Sequence, residues 1–319
     1  MKFIDIPTNG IRLRAAIAGT GPLVLMVHGF PESWYSWRHQ IEPIAQAGFT
    51  ACAIDVRGYG GSDKPQAVEA YSLAQITSDV AGVIEALSPD GQAVVIGHDW
   101  GAPIVWNTAL TRPDRVRAVA GLSVPWTGIP QVCFLDAVKA AYTSKGRFFY
   151  QVYFQDEGVA EAELEADVCT SLRKFYYAIS GDAPEGSWPL KPHGASLLEG
   201  LTDPQPFPAW LTAEDEAYFV GEFERSGFRG PLNRYRNHQR DFDWQQQFKD
   251  KRIEQPALFI GGDRDLVLRM IPGMDMVERM KPHLPALQGA HLLPGIGHWT
   301  QQEAPEAVNR LLIDWLTRL

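Results

Sequence analysis

An apolar run that ends in a tight turn, Val95-Ile96-Gly97-His98-Asp99-Trp100-Gly101-Ala102, constrains the fold of this chain more than any other stretch. Its apolar residues predict a buried strand, and the pattern from Trp100 onward predicts a helix. Gly97 and Gly101 flank Asp99 at the positions where a sharp strand-to-helix turn brings backbones close together. The pattern therefore predicts a nucleophile elbow with Asp99 at its tip, although an Asp in an ordinary turn is also common as a helix N-cap.

An aspartate at the tip of such a turn has a distinctive chemistry. Its carboxylate is ionised at neutral pH and attacks an electrophilic carbon without help from a base. The product of that attack is an ester, which water must cleave later. Suitable substrates are therefore those whose carbon belongs to a strained ring or carries a good leaving group.

Composition excludes several other classes of protein. The chain has 319 residues, 45% of them hydrophobic, which is enough for a large core. A net charge of −9 and a pI near 5.4 argue against nucleic acid or an anionic membrane as a partner. Three scattered cysteines predict neither a disulfide framework nor a zinc site, and we expect no cofactor. Residues 1–21 lack a signal-peptide pattern and no apolar run suggests a membrane span, so we expect a cytoplasmic protein.

Strands and helices alternate along most of the chain. Asn9-Gly10 predicts a hairpin, and Ser72 with Gln75 predicts a capping box for a helix that runs to Leu87. Buried strands are predicted over residues 23–27, 49–54, 93–96, 116–122 and 256–262. We therefore expect an α/β fold, with a mostly parallel sheet and helices on both of its faces.

The alternation is interrupted between residues 128 and 248, where aromatic-rich helical patterns replace the buried strands. This segment is predicted to be an inserted helical lid, or cap domain. Residues 1–127 and 249–319 would then form the two parts of the core.

Two residues in the second part of the core are suited to assist Asp99. Asp265 follows the predicted strand 256–262, and His298 follows the next strand. Because the carboxyl ends of parallel strands meet at one edge of the sheet, both are expected near the elbow. Asp263 is the alternative acid, and capping of the last helix is the alternative role of His298.

The charges of these groups suggest their roles. His298 would remove a proton from the water that attacks the ester, and Asp265 would orient the imidazole. The oxyanion formed by that attack needs preorganised donors. The backbone N–H groups of Trp100 and of Phe30, in the turn His28-Gly29-Phe30-Pro31, are the predicted oxyanion hole, although that turn could also simply end a strand.

Over nearly its whole length the chain resembles the soluble epoxide hydrolases of the α/β-hydrolase superfamily. The resemblance rests on HGFPESWYSWR (28–38), RGYGGS (57–62), GHDWG (97–101), GHW (297–299) and the lid segments YFQDEGVAE (153–161) and GFRGPLNRYRN (227–237). In that family, lid tyrosines bind the epoxide oxygen. The resemblance thus implies this role for Tyr153 and Tyr235, and phenols that are protonated at neutral pH can both donate to an alkoxide and protonate it. The other tyrosines between residues 128 and 248 are expected to be packing residues: Tyr142, Tyr150, Tyr176, Tyr177 and Tyr218.

Two alternative functions remain at this point. Haloalkane dehalogenases also use Asp followed by Trp in the elbow, but Phe30 offers no side-chain donor to a halide. A hydrolase-fold binding protein without catalysis would keep the pocket alone. The expected partner is a small epoxide, apolar or aromatic given the ring-rich lid, and a homodimer is compatible with the sequence.

Overall fold

The computed structural model describes residues 1–270 and 273–319. Its strands form one sheet in the order β1-β2-β4-β3-β5-β6-β7-β8. They are β1 (Lys2–Thr8), β2 (Ile11–Ala18), β3 (Leu23–Val27), β4 (Thr50–Ile54), β5 (Ala93–His98), β6 (Val116–Leu122), β7 (Ala257–Gly262) and β8 (Leu287–Leu293). The β1–β2 hairpin turns at Asn9-Gly10, and β2 pairs antiparallel with β4; the remaining pairs are parallel. The predicted α/β fold with a mostly parallel sheet is confirmed.

Helices pack on both faces of this sheet and also form the lid. Those of the core are α1 (Arg38–Gln46), α2 (Leu73–Leu87), α3 (Gly101–Thr111), α11 (Leu266–Arg269), α12 (Met276–Met280), α13 (Thr300–Glu303) and α14 (Pro305–Leu316). Those between β6 and β7 are α4 (Phe134–Ala141), α5 (Tyr150–Tyr153), α6 (Val159–Ala166), α7 (Val168–Ala178), α8 (Ala213–Ser226), α9 (Arg229–Tyr235) and α10 (His238–Gln245). Short 3₁₀ helices cover Trp34–Trp37, Val68–Tyr71, Thr143–Lys145, Gln246–Phe248 and Lys281–His283. Within the described residues, no helix is both long and apolar enough to span a membrane.

The central strand β3 contributes to the core on both of its faces. Leu25 and Val27 belong to the hydrophobic cluster that includes residues of α2 and α3, whereas Val24 and Met26 belong to the cluster that includes residues of α1 and α14. All four side chains are fully buried. This is why the strand reads as an unbroken apolar run, with no polar alternation.

Ionic and hydrogen-bonding contacts attach the lid to the core. Asp241 of α10 accepts a hydrogen bond from the backbone N–H of Leu73, at 2.7 Å, and also pairs with Arg234 of α9. The predicted capping box is therefore wrong, because Ser72 makes no side-chain cap and the lid carboxylate satisfies the start of α2 instead. A lid residue can take this position only once the chain has folded, so the local sequence pattern could not show it.

The turn between β5 and α3 has the strained geometry of the predicted elbow. Asp99 has a φ of 49°, which is unusual for a residue with a side chain. A Cβ added to Gly97 would collide with the carbonyl group of Gly101, and one added to Gly101 would collide with backbone atoms of Val27 and His28. Glycine is thus required on both sides of Asp99 by close backbone approach.

We expect Gly101→Ala to destabilise the protein by about 1–3 kcal/mol, because the added methyl group has no room between β3 and α3. Gly221→Ala is the matched control: it lies inside α8, where the nearest atom, at 3.4 Å, belongs to the flexible side chain of Arg225. Alanine should be neutral or slightly stabilising there. Urea unfolding of both variants tests this, and equal midpoints would contradict the packing argument.

Candidate active site

Three loops at the carboxyl edge of the sheet bring Asp99, His298 and Asp265 together. His298 Nε2 lies 3.3 Å from Asp99 Oδ2, and His298 Nδ1 lies 3.0 Å and 3.1 Å from the two carboxylate oxygens of Asp265. The alternative acid, Asp263, is exposed and accepts a hydrogen bond from the N–H of Gly295 instead. The structure thus brings together the three residues that the sequence predicts as a triad.

The environment of His298 favours its charged form. The ring is buried, which by itself would lower the pKa, but the Asp265 carboxylate and then Asp99 raise the pKa of His298 well above its ordinary value. Asp265 is fully buried and also accepts the Val267 N–H at 2.8 Å, so it is held in place at the start of α11. The imidazole is therefore oriented by one carboxylate and faces the other.

The β3–α1 loop places a backbone donor against the carboxylate of Asp99. The N–H of Phe30 donates to Asp99 Oδ1 at 2.7 Å. A Cβ on Gly29 would collide with the carboxylate of Asp99, so glycine is needed for this approach. Trp100 follows Asp99 directly and begins the turn into α3; its N–H as the second oxyanion donor stays a prediction.

A buried polar pair, Glu32 and His98, lies beneath the triad. No role was predicted from the sequence for either residue. His98 Nδ1 lies 2.9 Å from Glu32 Oε2, and His98 Nε2 lies 2.7 Å from the backbone oxygen of His298. Glu32 also accepts the Gly29 N–H at 2.7 Å. Burial by itself would raise the pKa of the Glu32 carboxyl group. Its contacts with His98, and to a smaller extent with His28 and the Gly29 N–H, outweigh this effect and lower the pKa to about 2. The available signal was positional: both residues lie inside the motifs around Phe30 and Asp99.

The lid places Tyr235, as predicted, but not Tyr153, in the cavity that contains Asp99. Tyr235 lines this cavity and packs edge-on against the Trp100 ring, with centroids 5.2 Å apart. Tyr153 instead donates its hydroxyl to Glu163 of α6, at 2.8 Å, and is not among the lining residues. The expectation for Tyr153 is therefore wrong, because the carboxylate of Glu163 holds it within the lid.

Tyr150, which was expected to be a packing residue, takes the place predicted for Tyr153. It lines the cavity with Asp99, and its ring lies 6.0 Å from that of Tyr235. Its hydroxyl oxygen accepts a hydrogen bond from Gln151 Nε2 at 2.7 Å, which leaves the phenolic proton free to donate elsewhere. Burial, reinforced by the charge of Asp99, raises the pKa of both Tyr150 and Tyr235 well above the ordinary value, so both phenols stay protonated.

Two cavities meet at Asp99 and Tyr150. The first arm, about 330 Å³, extends past His298 and Tyr235 towards aromatic residues that include Phe175 and Trp188. The second arm, about 310 Å³, extends between α3, α4 and α10, and His238 is among the residues that line it. A substrate whose reacting carbon lies at Asp99 could therefore extend one limb into each arm. The described residues contain no group of three or more side chains suited to holding a metal ion.

Comparisons with known proteins agree with this geometry. The family model of the α/β hydrolase fold matches residues 22–305. Epoxide hydrolase A of Mycobacterium tuberculosis is 40% identical over 318 residues, which cover 98% of this chain and 97% of that protein. Bifunctional epoxide hydrolase 2 of Sus scrofa is 41% identical over 96% of this chain and 53% of its own length.

Solved structures of epoxide hydrolases are also similar to this chain. An epoxide hydrolase from an endophytic Streptomyces superposes with a TM-score of 0.94 at 45% identity, covering 99% of this chain and 95% of that one. Epoxide hydrolase A of Mycobacterium thermoresistibile superposes with a TM-score of 0.92 at 42% identity, covering 99% and 98% of the two chains. With an elbow aspartate, its histidine and lid tyrosines at one cavity, this chain belongs to the epoxide hydrolases of the α/β-hydrolase superfamily, enzymes that convert an epoxide and water to a vicinal diol.

Proposed function

We propose that this chain hydrolyses epoxides through a covalent ester on Asp99, which water activated by His298 then cleaves. The observation that carries the proposal is the arrangement of Asp99: one carboxylate oxygen is held by the Phe30 N–H, the other faces His298, and two protonated tyrosines line the same cavity. Phe30 has no side-chain donor for a halide, and a dehalogenase would have no use for the paired phenols.

In the first half-reaction, Asp99 Oδ2 attacks an epoxide carbon, and the carbon–oxygen bond of the ring breaks. Oδ1, which accepts from Phe30, remains as the carbonyl oxygen of the ester. Tyr150 and Tyr235 donate hydrogen bonds to the epoxide oxygen and one of them gives its proton to the alkoxide that forms. Their raised pKa values keep both protons in place until ring opening creates a strong enough base.

In the second half-reaction, water attacks the carbonyl carbon of the ester. Ester formation has removed the charge of Asp99, one of the two carboxylates that raise the pKa of His298, so this pKa falls. The imidazolium passes its proton through solvent to the tyrosinate formed in the first half-reaction, and the neutral imidazole can then act as a base. His298 takes one proton from the attacking water, and the Phe30 and Trp100 N–H groups stabilise the oxyanion. As the ester breaks, His298 returns this proton to the departing diol oxygen. The second water proton then passes from the Asp99 carboxyl group to His298, which restores the imidazolium and the carboxylate.

Four finer assignments belong to the same proposal. The aromatic residues of the first arm favour an apolar or aromatic limb on the epoxide. A homodimer and a cytoplasmic location are compatible with the sequence. The domain boundaries at residues 128 and 248 also stay predictions; the helices α4 to α10 lie between them.

Phenylalanine substitutions distinguish the tyrosines that bind the epoxide oxygen from the one that does not. Tyr150→Phe and Tyr235→Phe should each slow ester formation by roughly 10²-fold, because each removes one donor to the epoxide oxygen. Tyr153→Phe is the matched control: it loses only its bond to Glu163 and should alkylate at the unmutated rate. Stopped-flow tryptophan fluorescence measures these rates. Slow alkylation in Tyr153→Phe with normal rates in Tyr150→Phe would reverse the assignment.

The second prediction separates the half-reactions. His298→Gln keeps an ionised Asp99 and both tyrosines, so it should form the ester but fail to hydrolyse it, because no base activates the water. Intact-protein mass spectrometry after epoxide treatment should show an adduct that persists, with Asp99→Asn as the adduct-free control. An unmodified His298→Gln protein throughout the reaction would contradict the assigned roles.

The third prediction tests whether Asp99 is a nucleophile or a general base. In a covalent mechanism, the oxygen delivered to the substrate in the first turnover comes from Asp99, and solvent oxygen enters the carboxylate. With enzyme in excess in heavy-oxygen water, the first diol should be unlabelled and the Asp99 peptide labelled. Label in the first-turnover diol, with none in the protein, would show direct attack by water.

A further inference from the structure

The second arm contains two buried polar side chains with unused hydrogen-bonding capacity. His238, at the start of α10, is 8% exposed, and Gln151, in α5, is 7% exposed. Among the described residues, His238 Nε2 and Gln151 Oε1 have no hydrogen-bond partner. A buried polar atom without a partner is costly, so its presence at a cavity requires an explanation.

Two other polar residues of this arm already have partners. Asp241 is paired with Arg234 and caps α2, and Gln245 donates to Asn107 at 2.9 Å. In the first arm, none of the described lining residues carries such an orphaned buried atom. Among the described lining residues, unused hydrogen-bonding atoms are therefore found in the second arm and not in the first. The two limbs of a bound substrate would accordingly meet different surroundings.

The imidazole of His238 is neutral under ordinary conditions. Burial, with a smaller effect from the positive charge of Arg234, lowers the pKa of His238 to about 3. Its ring packs against Trp100 and Phe134, with centroids 5.9 Å and 5.4 Å away. A neutral imidazole offers one donor and one acceptor, and Gln151 Oε1 adds a second acceptor. This set suits a hydroxyl group, whereas a carboxylate would bring negative charge into a cavity that already contains Asp99 and Asp241.

We propose that the second arm recognises an uncharged hydroxyl group on one limb of the epoxide, with His238 and Gln151 as its hydrogen-bonding partners. The hydroxyl donates its proton to Gln151 Oε1 and accepts a hydrogen bond from the imidazole N–H of His238. An alkyl limb of the same size would leave both protein groups unpaired. This inference rests on the proposed epoxide hydrolysis and defines its preferred substrates.

The test uses two epoxides with the same aromatic limb, whose other limb ends in either –CH2OH or the isosteric –CH2CH3. The measured quantity is the ratio of kcat/KM for the hydroxyl over the methyl compound. His238→Phe keeps a ring of similar size but has no nitrogen, and should lower this ratio about five- to tenfold, as expected for one lost hydrogen bond. His238→Gln retains a donor and an acceptor, so its ratio should be higher than that of His238→Phe.

Phe148→Leu, in the first arm, is the control: it should leave the ratio unchanged, whatever it does to the individual rates. An unchanged ratio in His238→Phe would overturn the inference while leaving epoxide hydrolysis intact. Failure of the unmutated enzyme to open either compound would count against the proposed function instead. If His238→Phe does not fold, the kcat/KM ratio of the unmutated enzyme tests the inference. A ratio that favours the hydroxyl compound supports hydroxyl recognition, and a ratio that favours the methyl compound excludes it.

Discussion

The buried pair of Glu32 and His98 is the interaction on which the site geometry depends. His98 directly precedes the nucleophile, Glu32 lies two residues after Phe30, and the pair also binds the backbone oxygen of His298. Both ring nitrogens of His98 therefore lie within hydrogen-bonding distance of an oxygen atom on another loop. One buried hydrogen-bonded pair thereby connects three loops that come from distant parts of the chain.

Hydrogen bonds from both the core and the lid hold the loop that carries His298. Its backbone oxygen accepts from His98, from Ser123 Oγ at 2.7 Å and from the Thr300 N–H, while its own N–H donates to Ile179 of the lid. The lid thus contributes to the position of His298 as well as supplying Tyr150 and Tyr235. Such support is what keeps a base within reach of a nucleophile on a different loop.

The lid also divides the cavity. Tyr150 and Tyr235 come from α5 and α9, and both rings pack against Phe154 of the lid core, so packing within the lid sets the spacing of the two phenols. Asp99 lies where the two arms meet, so the limbs of a bound epoxide experience different surroundings: aromatic in one direction, with hydrogen-bonding groups in the other. The core loops supply Asp99, His298 and Asp265, whereas the lid supplies the two tyrosines and part of the lining of both arms.

The sequence by itself predicted the fold class, the elbow and the residues Asp99, Asp265 and His298, because each depends on local spacing: small residues around Asp99, and polar residues directly after apolar strands. The family followed from the resemblance of whole motifs. It did not determine which of two tyrosines three residues apart faces the nucleophile. Tyr150 and Tyr153 lie in one helical turn, and the choice depends on Glu163, which belongs to another helix and accepts the Tyr153 hydroxyl. The Asp241 cap on α2 and the Glu32–His98 pair were hidden for the same reason. Partners distant in sequence become neighbours only when the tertiary structure forms, and hydrogen bonds between them then decide where each side chain lies.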